Sequence, residues 1–430
     1  MEVNKFYINE IPVYQSKTEK FKTINLQIIF LNEFNKSLAT KLSLLSRLLN
    51  NSTKKYNTKK KIVNKLFELY DANVSVFTYP SYKTSLTVFS LEIVNEKNLE
   101  DKTLIGNAFK FLREMIFNPN ISNGCFDEKE FFEEKRRLKE SIEKIYDNKN
   151  RYAIKKLIQN MCQDEITSVS SLGDLNDLEE ITPQVIAQTY DFLINTSNIS
   201  IYSVGDIAED RLKEELKKFK FVQNKKDKFE IVSNETKEIL KVKEFKETQN
   251  VNQSILCMGY RTSFNSNDDE YFSGLVFSEM FGGLYTSDLF RVVREEHSLA
   301  YSIVSQIIPD VKMMVVNAGI DGKNYDLVVK LISEELEKYK NGQISEELLE
   351  VAKLTLINDL QETEDDPKSY VSYMLKNYLT NTSFTILNNI EKVNRINIDD
   401  IKKIAQGIKL DTIFLLTNNW GSDYEKDNLW

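Results

Sequence analysis

The sequence predicts an α+β protein built from two tandem homologous domains, each a sheet covered by helices. Three observations carry this. At 430 residues the chain is too long for one ordinary core. Its second half repeats the pattern of its first. Within each half, β-rich runs are interleaved with long amphipathic ones, the mark of helices packed on a sheet. A composition that is 41% hydrophobic, with only 13 glycines and 6 prolines, belongs to a globular chain and not a disordered one.

The repeat can be followed element by element. FKTINLQIIFLNE reads as a strand near the start, and NVNQSILCMGYR takes its place 229 residues later, comparing Ile24 with Gln253. A helix comes next in each half, then LFELYDANVSV from Leu66 and LFRVVREEHSLAYSI from Leu289, 223 apart. SLTVFSLEIV and KMMVVNAGI are the following strands. Two helices then end near IYDNKNRYA and ETEDDPKSYV, with Lys149 and Lys368 offset by 219. ITPQVIAQTY with the strand NISIYSVGD closes the first copy, and INIDDIKKIA with DTIFLLTNN closes the second, Ile181 and Ile396 being 215 apart. The offset shrinks without reversing, as small insertions between homologous units require. The domains are therefore expected at 1–221 and 250–430, joined by the lysine- and glutamate-rich segment 222–249 as a solvated linker.

Several function classes drop out. The net charge of -8 comes from acids and bases interleaved along most of the chain, so there is no cationic footprint for nucleic acid. The N-terminus lacks a basic segment followed by an apolar one, and no run reaches the roughly 20 apolar residues of a membrane helix, so a soluble, cytoplasmic protein is expected. Cys125, Cys162 and Cys257 are far apart and form no CxxC, which argues against a disulfide framework or a thiolate zinc site. Each is expected as a small buried hydrophobe. There is no phosphate-cradling glycine loop; Gly282 and Gly283 read as a sharp bend before a helix.

The chemistry-bearing stretches lie in two places. From Leu38, leucines at 38, 42, 45 and 49 make one apolar helix face. Ser43, Ser46, Arg47 and Asn50 lie on the other, and the first three, at i, i+3 and i+4, read as a solvated face. In the second half, FGGLYTSDLFRVVREEHSLAY contains the only histidine of the chain, His297, in a turn; without metal-binding partners it reads as a surface or hydrogen-bonded residue.

The duplication, the element order and that last segment resemble the pitrilysin/insulinase-type zinc peptidases, a family that includes the mitochondrial processing peptidases. The resemblance implies two LuxS/MPP-like α/β-sandwich domains arranged as a clamshell. Active members carry an inverted zinc motif, HxxEH, on the first-half helix. The matching stretch here is SLLSRLLNNST, from Ser43 to Thr53, so Ser43 and Arg47 stand in place of the metal histidines and Ser46 in place of the catalytic glutamate. Spacing places the family's third ligand at Phe132, with Glu133 the nearby carboxylate. A catalytic zinc with two imidazoles and a carboxylate needs ligands this chain does not have. No cofactor is expected in the chain itself.

The second-half match is fuller. Gly282, Gly283, Ser287, Leu289, Phe290, Arg294, Glu295, Leu299, Ala300 and Tyr301 all fit the family pattern, with Ser298 where glycine is usual. The resemblance implies that Tyr301 and Arg294 serve catalysis in trans. A phenol O–H stabilises the developing carbonyl oxyanion, and a guanidinium holds substrate carbonyls; Gly282 and Gly283 belong to the same substrate-binding segment. The expected function is a non-catalytic subunit of a heterodimeric peptide-processing metalloprotease, inactive alone and completed by an HxxEH-bearing partner that holds the zinc. Peptides or unfolded polypeptides would be its substrates. The alternative is a structural or peptide-binding subunit with no part in hydrolysis. An independent hydrolase using cysteine or carboxylates lacks a base.

Overall fold

The computed structural model describes residues 1–223, 229–380, 382 and 385–418. The first half opens with strands β1 (Asn4–Ile8), β2 (Ile11–Ser16) and β3 (Thr23–Glu33), helices α1 (Lys36–Leu49) and α2 (Lys59–Glu68), and the hairpin β4 (Asn73–Ser81) and β5 (Thr84–Val94). It continues with α3 (Leu104–Phe117), the two-residue strands β6 (Ile121–Ser122) and β7 (Cys125–Phe126), α4 (Glu128–Asp147) and α5 (Lys149–Met161). It ends with α6 (Leu175–Glu180), α7 (Pro183–Thr196), β8 (Asn198–Val204) and α8 (Glu209–Leu216).

The second half has β9 (Lys243–Thr248), β10 (Ser254–Arg261) and α9 (Tyr271–Ser278), then π-helical turns over Glu279–Gly283 and Phe290–Glu296, then β11 (Ala300–Ile308) and β12 (Met313–Ile320). Helices α10 (Tyr325–Lys340), α11 (Glu346–Glu362), α12 (Pro367–Leu379), α13 (Ile386–Asn394) and α14 (Ile398–Gln406) lead to β13 (Lys409–Thr417). Among the described residues no helix is long and apolar enough to cross a membrane.

The duplication appears directly in the strand orders. The first sheet runs β1-β2-β8-β3-β5-β4 and the second β11-β12-β10-β13-β9. Without β1, and with the second read backwards, the two are the same sheet, each with one parallel pair: β2 with β8, and β9 with β13. Alternation explains how each sheet buries a face. Ile24, Leu26, Ile28 and Phe30 of β3 point into the first core, and Leu256, Met258 and Tyr260 of β10 into the second.

Two features differ from the sequence reading. The segment 222–249 is not simply a solvated linker, because its last part is β9, the counterpart of β2, hydrogen-bonded along β13. Earlier in the same segment Ile231 and Val232 are buried, and the Glu230 carbonyl accepts from the Lys83 N–H at 3.0 Å and the Thr84 hydroxyl at 2.9 Å. Its lysine and glutamate content hid a short strand whose exposed positions carry the charge.

Nor are the compact units contiguous. One consists of Met1–Glu143, Val169–Ile231 and Glu362–Ser383; the other of Lys144–Ser168, Val232–Gln361 and Phe384–Trp430. Helix α12 thus belongs with the first-half strands and α5 with the second-half strands. Both begin at a side-chain cap: Asn148 accepts from the Arg151 N–H, and Asp366 accepts from the Ser369 N–H. Periodicity says that such a helix buries a face; it does not say against which sheet.

Candidate functional site

Helix α1 packs against β4, α6 and α7. Leu42, Leu45 and Leu49 are buried, as their spacing requires, but Ser43 and Ser46 are also buried, which corrects the expectation of a solvated face. The burial costs little because both side chains are small and the Ser46 hydroxyl donates back to the Ser43 carbonyl at 3.0 Å. Arg47 is half-buried, and its Nη2 donates to Ser141 Oγ of α4 at 3.0 Å. Ser141 in turn donates to the Arg137 carbonyl at 2.8 Å, and Arg137 pairs with Glu133 and with the buried Glu134.

Phe132, where spacing put the third ligand position, is 60% exposed. It lies nine residues before Ser141 on α4, about two and a half turns of helix, and therefore on the opposite face. The side chain that α4 turns toward α1 is Ser141, and Glu133 is taken up by Arg137. Counting residues could not find this, because insertions between two helices change the count and leave the facing positions intact.

The helix that carries the zinc ligands in active relatives thus holds two serines and a guanidinium that meets a third serine. These residues do not fit a zinc ion: hydroxyls are poor ligands for it and the arginine is a fixed positive charge. Among the described residues no group of three His, Cys, Asp or Glu side chains could hold a metal. Asn50, on the polar face of the same helix, has a role the sequence reading did not assign. Its Nδ2 donates to the Val76 carbonyl at 2.6 Å and its Oδ1 accepts from the Val76 N–H at 2.8 Å, so one amide occupies both outward-facing backbone groups at that point of the edge strand β4. The only sequence signal was a polar residue ending a leucine-rich helix.

In the second half the corresponding approach of helix to edge strand is made through glycine. A Cβ on the buried Gly282 would lie 2.8 Å from the Ser305 backbone nitrogen on β11, so only glycine lets the π-helical turn come this close. Gly283 is exposed, beside the Glu279 carboxylate, whose pKa is raised by burial and by the nearby Asp359. The bend expected at the glycine pair itself falls one residue later, at the extended Leu284, because both glycines belong to the π-helical turn.

The second π-helical turn is held from inside by Leu289, Val292 and Val293, all buried, and by Asp288, which accepts from Tyr339 Oη at 2.6 Å and Arg291 Nη2 at 2.7 Å. That anchoring leaves Arg294 outside. Its guanidinium carbon sits 4.5 Å from the centroid of the Phe290 ring, which packs edge-on against Tyr285. Arg294 makes no ion pair among the described residues. His297 then closes the turn, its N–H and its Nδ1 both directed at the Val292 carbonyl, at 3.2 and 2.9 Å. The histidine is structural, and its neighbour Ser298 adopts a left-handed conformation with φ of 53°.

At the start of β11 the register against β12 shifts between Ala300 and Ser302, so Tyr301 is the extra residue of a bulge and turns outward, 73% exposed. The Lys323 ammonium, paired with Asp321 at 3.0 Å, has a raised pKa, first through that hydrogen bond and with a smaller contribution from Tyr301. The two residues the sequence singled out are therefore both solvent-facing, at either end of one short turn, with neither in an ion pair among the described residues.

A duplicated sheet-and-helix protein with serines and an arginine where the resemblance puts metal ligands, and with an exposed arginine and tyrosine in its other half, belongs to the non-catalytic, peptidase-like class. Residues 180–356 match the family described as Peptidase M16 inactive domain. Over 424 residues the chain is 31% identical to the probable inactive metalloprotease YmfF of Bacillus subtilis (strain 168), covering 97% of this chain and 99% of that protein. It is also 26% identical over 164 residues to the uncharacterized zinc protease YmxG of the same organism, covering 37% of this chain and 39% of that protein. A conserved protein from Enterococcus faecalis V583 superposes with a TM-score of 0.92 at 31% identity, covering 97% of this chain and 99% of that one. The chain belongs to the M16 peptidase family, among its inactive members.

Proposed function

We propose that this chain is the site-completing subunit of a two-chain zinc metallopeptidase that processes peptides, supplying Arg294 and Tyr301 to a relative that holds the metal. The observation that carries the reading is the exposure of Tyr301 on its bulge together with an Arg294 that has an aromatic platform and no counter-ion among the described residues. A side chain kept only for packing would be buried, and one kept only for surface charge would not be stacked in place. The phenol O–H is a donor for a carbonyl oxygen that gains negative charge, and the guanidinium fork is a donor pair for substrate carbonyls. A relative bearing the zinc motif has to supply the metal, because Ser43, Ser46 and Arg47 do not.

The test is reconstitution with an HxxEH-bearing relative from the same genome, followed by peptide cleavage. The chain alone is inert and carries no stoichiometric zinc. In the pair, Tyr301→Phe lowers kcat/KM by about 10²- to 10³-fold, the cost of removing one oxyanion donor, and Arg294→Ala acts mainly on KM. Both variants keep the wild-type melting temperature, since neither side chain is buried. Full activity in both variants would leave the chain as a structural or peptide-binding subunit without a part in hydrolysis.

A further inference from the structure

On the α5 side of the second sheet lies a cavity of about 470 Å³ that no residue discussed so far occupies. Its floor is a row of directly opposed residues, Ile255 on β10, Gly319 on β12 and Ser302 on β11. The missing side chain at Gly319 makes the hollow, and Gln253 lies across it, so close that a Cβ on Gly319 would come within 2.2 Å of Gln253 Nε2. That Nε2 is buried and has no hydrogen-bond partner among the described residues.

The walls are rich in donors. Asn250 and Asn252 line one side, and Lys149 and Asn150, the first residues of α5, line another. Lys149 Nζ donates to Gln249 Oε1 at 2.7 Å and lies 3.7 Å from the centroid of the Tyr146 ring, but it forms no ion pair among the described residues. None of the lining residues is acidic. A buried amide donor without an acceptor is costly unless something accepts from it. Glu247, whose carboxylate feels the Lys149 charge, is bonded by Gln249 and Tyr152 and makes no direct ion pair with the ammonium, which is left open to an anion.

We infer that this cavity binds the C-terminal carboxylate of a peptide. One lysine matches a single negative charge, which suits a carboxylate and not a phosphate dianion. Once its side chain turns off Gly319, Gln253 Nε2 gives that carboxylate a second donor, and the asparagine amides, each both donor and acceptor, suit the N–H and C=O of the last peptide unit. Ser302 forms part of the floor and Tyr301 is its chain neighbour, so a peptide anchored by its end here leads directly to the exposed phenol. The inference rests on the peptide-binding reading above for the kind of ligand, and on the cavity alone for the end that is recognised.

The test titrates N-acetyl-trialanine, as free acid and as C-terminal amide, into the full chain and follows the Gln253 side-chain amide by ¹⁵N TROSY spectroscopy. The acid shifts this signal saturably, and the amide binds at least about tenfold more weakly, as expected where a charged partner is lost. Lys149→Met brings acid and amide to within about twofold of each other. Since that variant touches the first turn of α5, Gln253→Glu provides an independent arm, read on the Asn252 side-chain amide: it removes the amide donor for both ligands, and its added carboxylate weakens the acid by more than it weakens the amide. Equal binding of acid and amide to the wild type, or no shift of Gln253 by the acid, overturns the inference. Sodium acetate binding as tightly as the peptide acid also overturns it, assigning the cavity to a small free carboxylate. Partner-dependent cleavage is read through Arg294 and Tyr301, so that reading and this one fail in different assays.

Discussion

At the scale of single residues, the turn that presents Arg294 and Tyr301 was legible because its pattern is carried by identity: glycines, an arginine and a tyrosine at fixed spacing. Ser298 shows what identity alone leaves out. With φ of 53° it occupies the left-handed region, where a side chain costs about 1 kcal/mol that glycine does not pay. Ser298→Gly should therefore stabilise the chain by about 0.5–1 kcal/mol in urea unfolding, while Ser298→Val destabilises it by more. The cysteines make a second case, since Cys162 and Cys257 are buried as expected but Cys125 is only half-buried. Burial pushes the Cys162 and Cys257 thiols up to about 11 and about 12. At pH 8 iodoacetamide should modify Cys125 first and reach the other two only on unfolding. The linkage follows in sign. Between pH 9 and 11 the unfolded chain loses these thiol protons while the folded chain keeps them, so their contribution to stability is present below about pH 9 and declines above it. A pH-independent urea midpoint across that window would contradict the burial.

Among the elements, strands and helices were largely legible, because the strands announce themselves by β-rich runs and the helices by leucine spacing. What could not be read was the partner of each buried face. Helix α5 is the clearest example. Its Ala153, Leu157 and Met161 pack with Ile255, Cys257 and Phe414 of the second sheet, though it follows the first-half helices in sequence. The join is fixed by Arg261 of β10. Its guanidinium takes both oxygens of Glu165 at 2.6 and 3.0 Å, one oxygen of Asp411 at 2.9 Å and the Met161 carbonyl at 3.1 Å. All three side chains are largely buried, so removing the cation leaves two carboxylates short of water and of a counter-charge. Arg261→Met should cost about 3–5 kcal/mol. Combining it with Glu165→Gln and Asp411→Asn should recover part of that loss, since the penalty comes mostly from stranded charge. A double-mutant cycle by urea denaturation separates the two, and an additive result would show that the network does not act as one unit.

For the whole molecule, the repeat was legible because drifting offsets survive divergence, and the matching strand orders give it physical form. The boundaries were not, because each half lends a helix to the other's sheet. In the first unit α12 is tied by a ring contact between Tyr378 and Tyr14, by Tyr370 Oη donating to the Met1 carbonyl at 2.7 Å, and by Lys368 paired with Glu92 at 2.8 Å. In the second, losing α5 would uncover Ile255, Met313, Val315, Phe414 and Leu416. Each such side chain contributes about 1.5–3 kcal/mol when buried, so together they rival the whole margin of about 5–15 kcal/mol on which a domain stands. A cut that follows the sequence repeat should therefore produce two incomplete folds. Residues 1–221 and 250–430, expressed separately, are expected to bind ANS and to lose near-ultraviolet dichroism while keeping helical signal. Residues 1–249 and 250–430 expressed together restore α5, α12 and β9 to their sheets, and a 1:1 complex with cooperative unfolding should result. Cooperative unfolding of 250–430 alone would show instead that the second sheet stands without its borrowed helix. In that case the exchange would be a consequence of chain order and not a condition of folding.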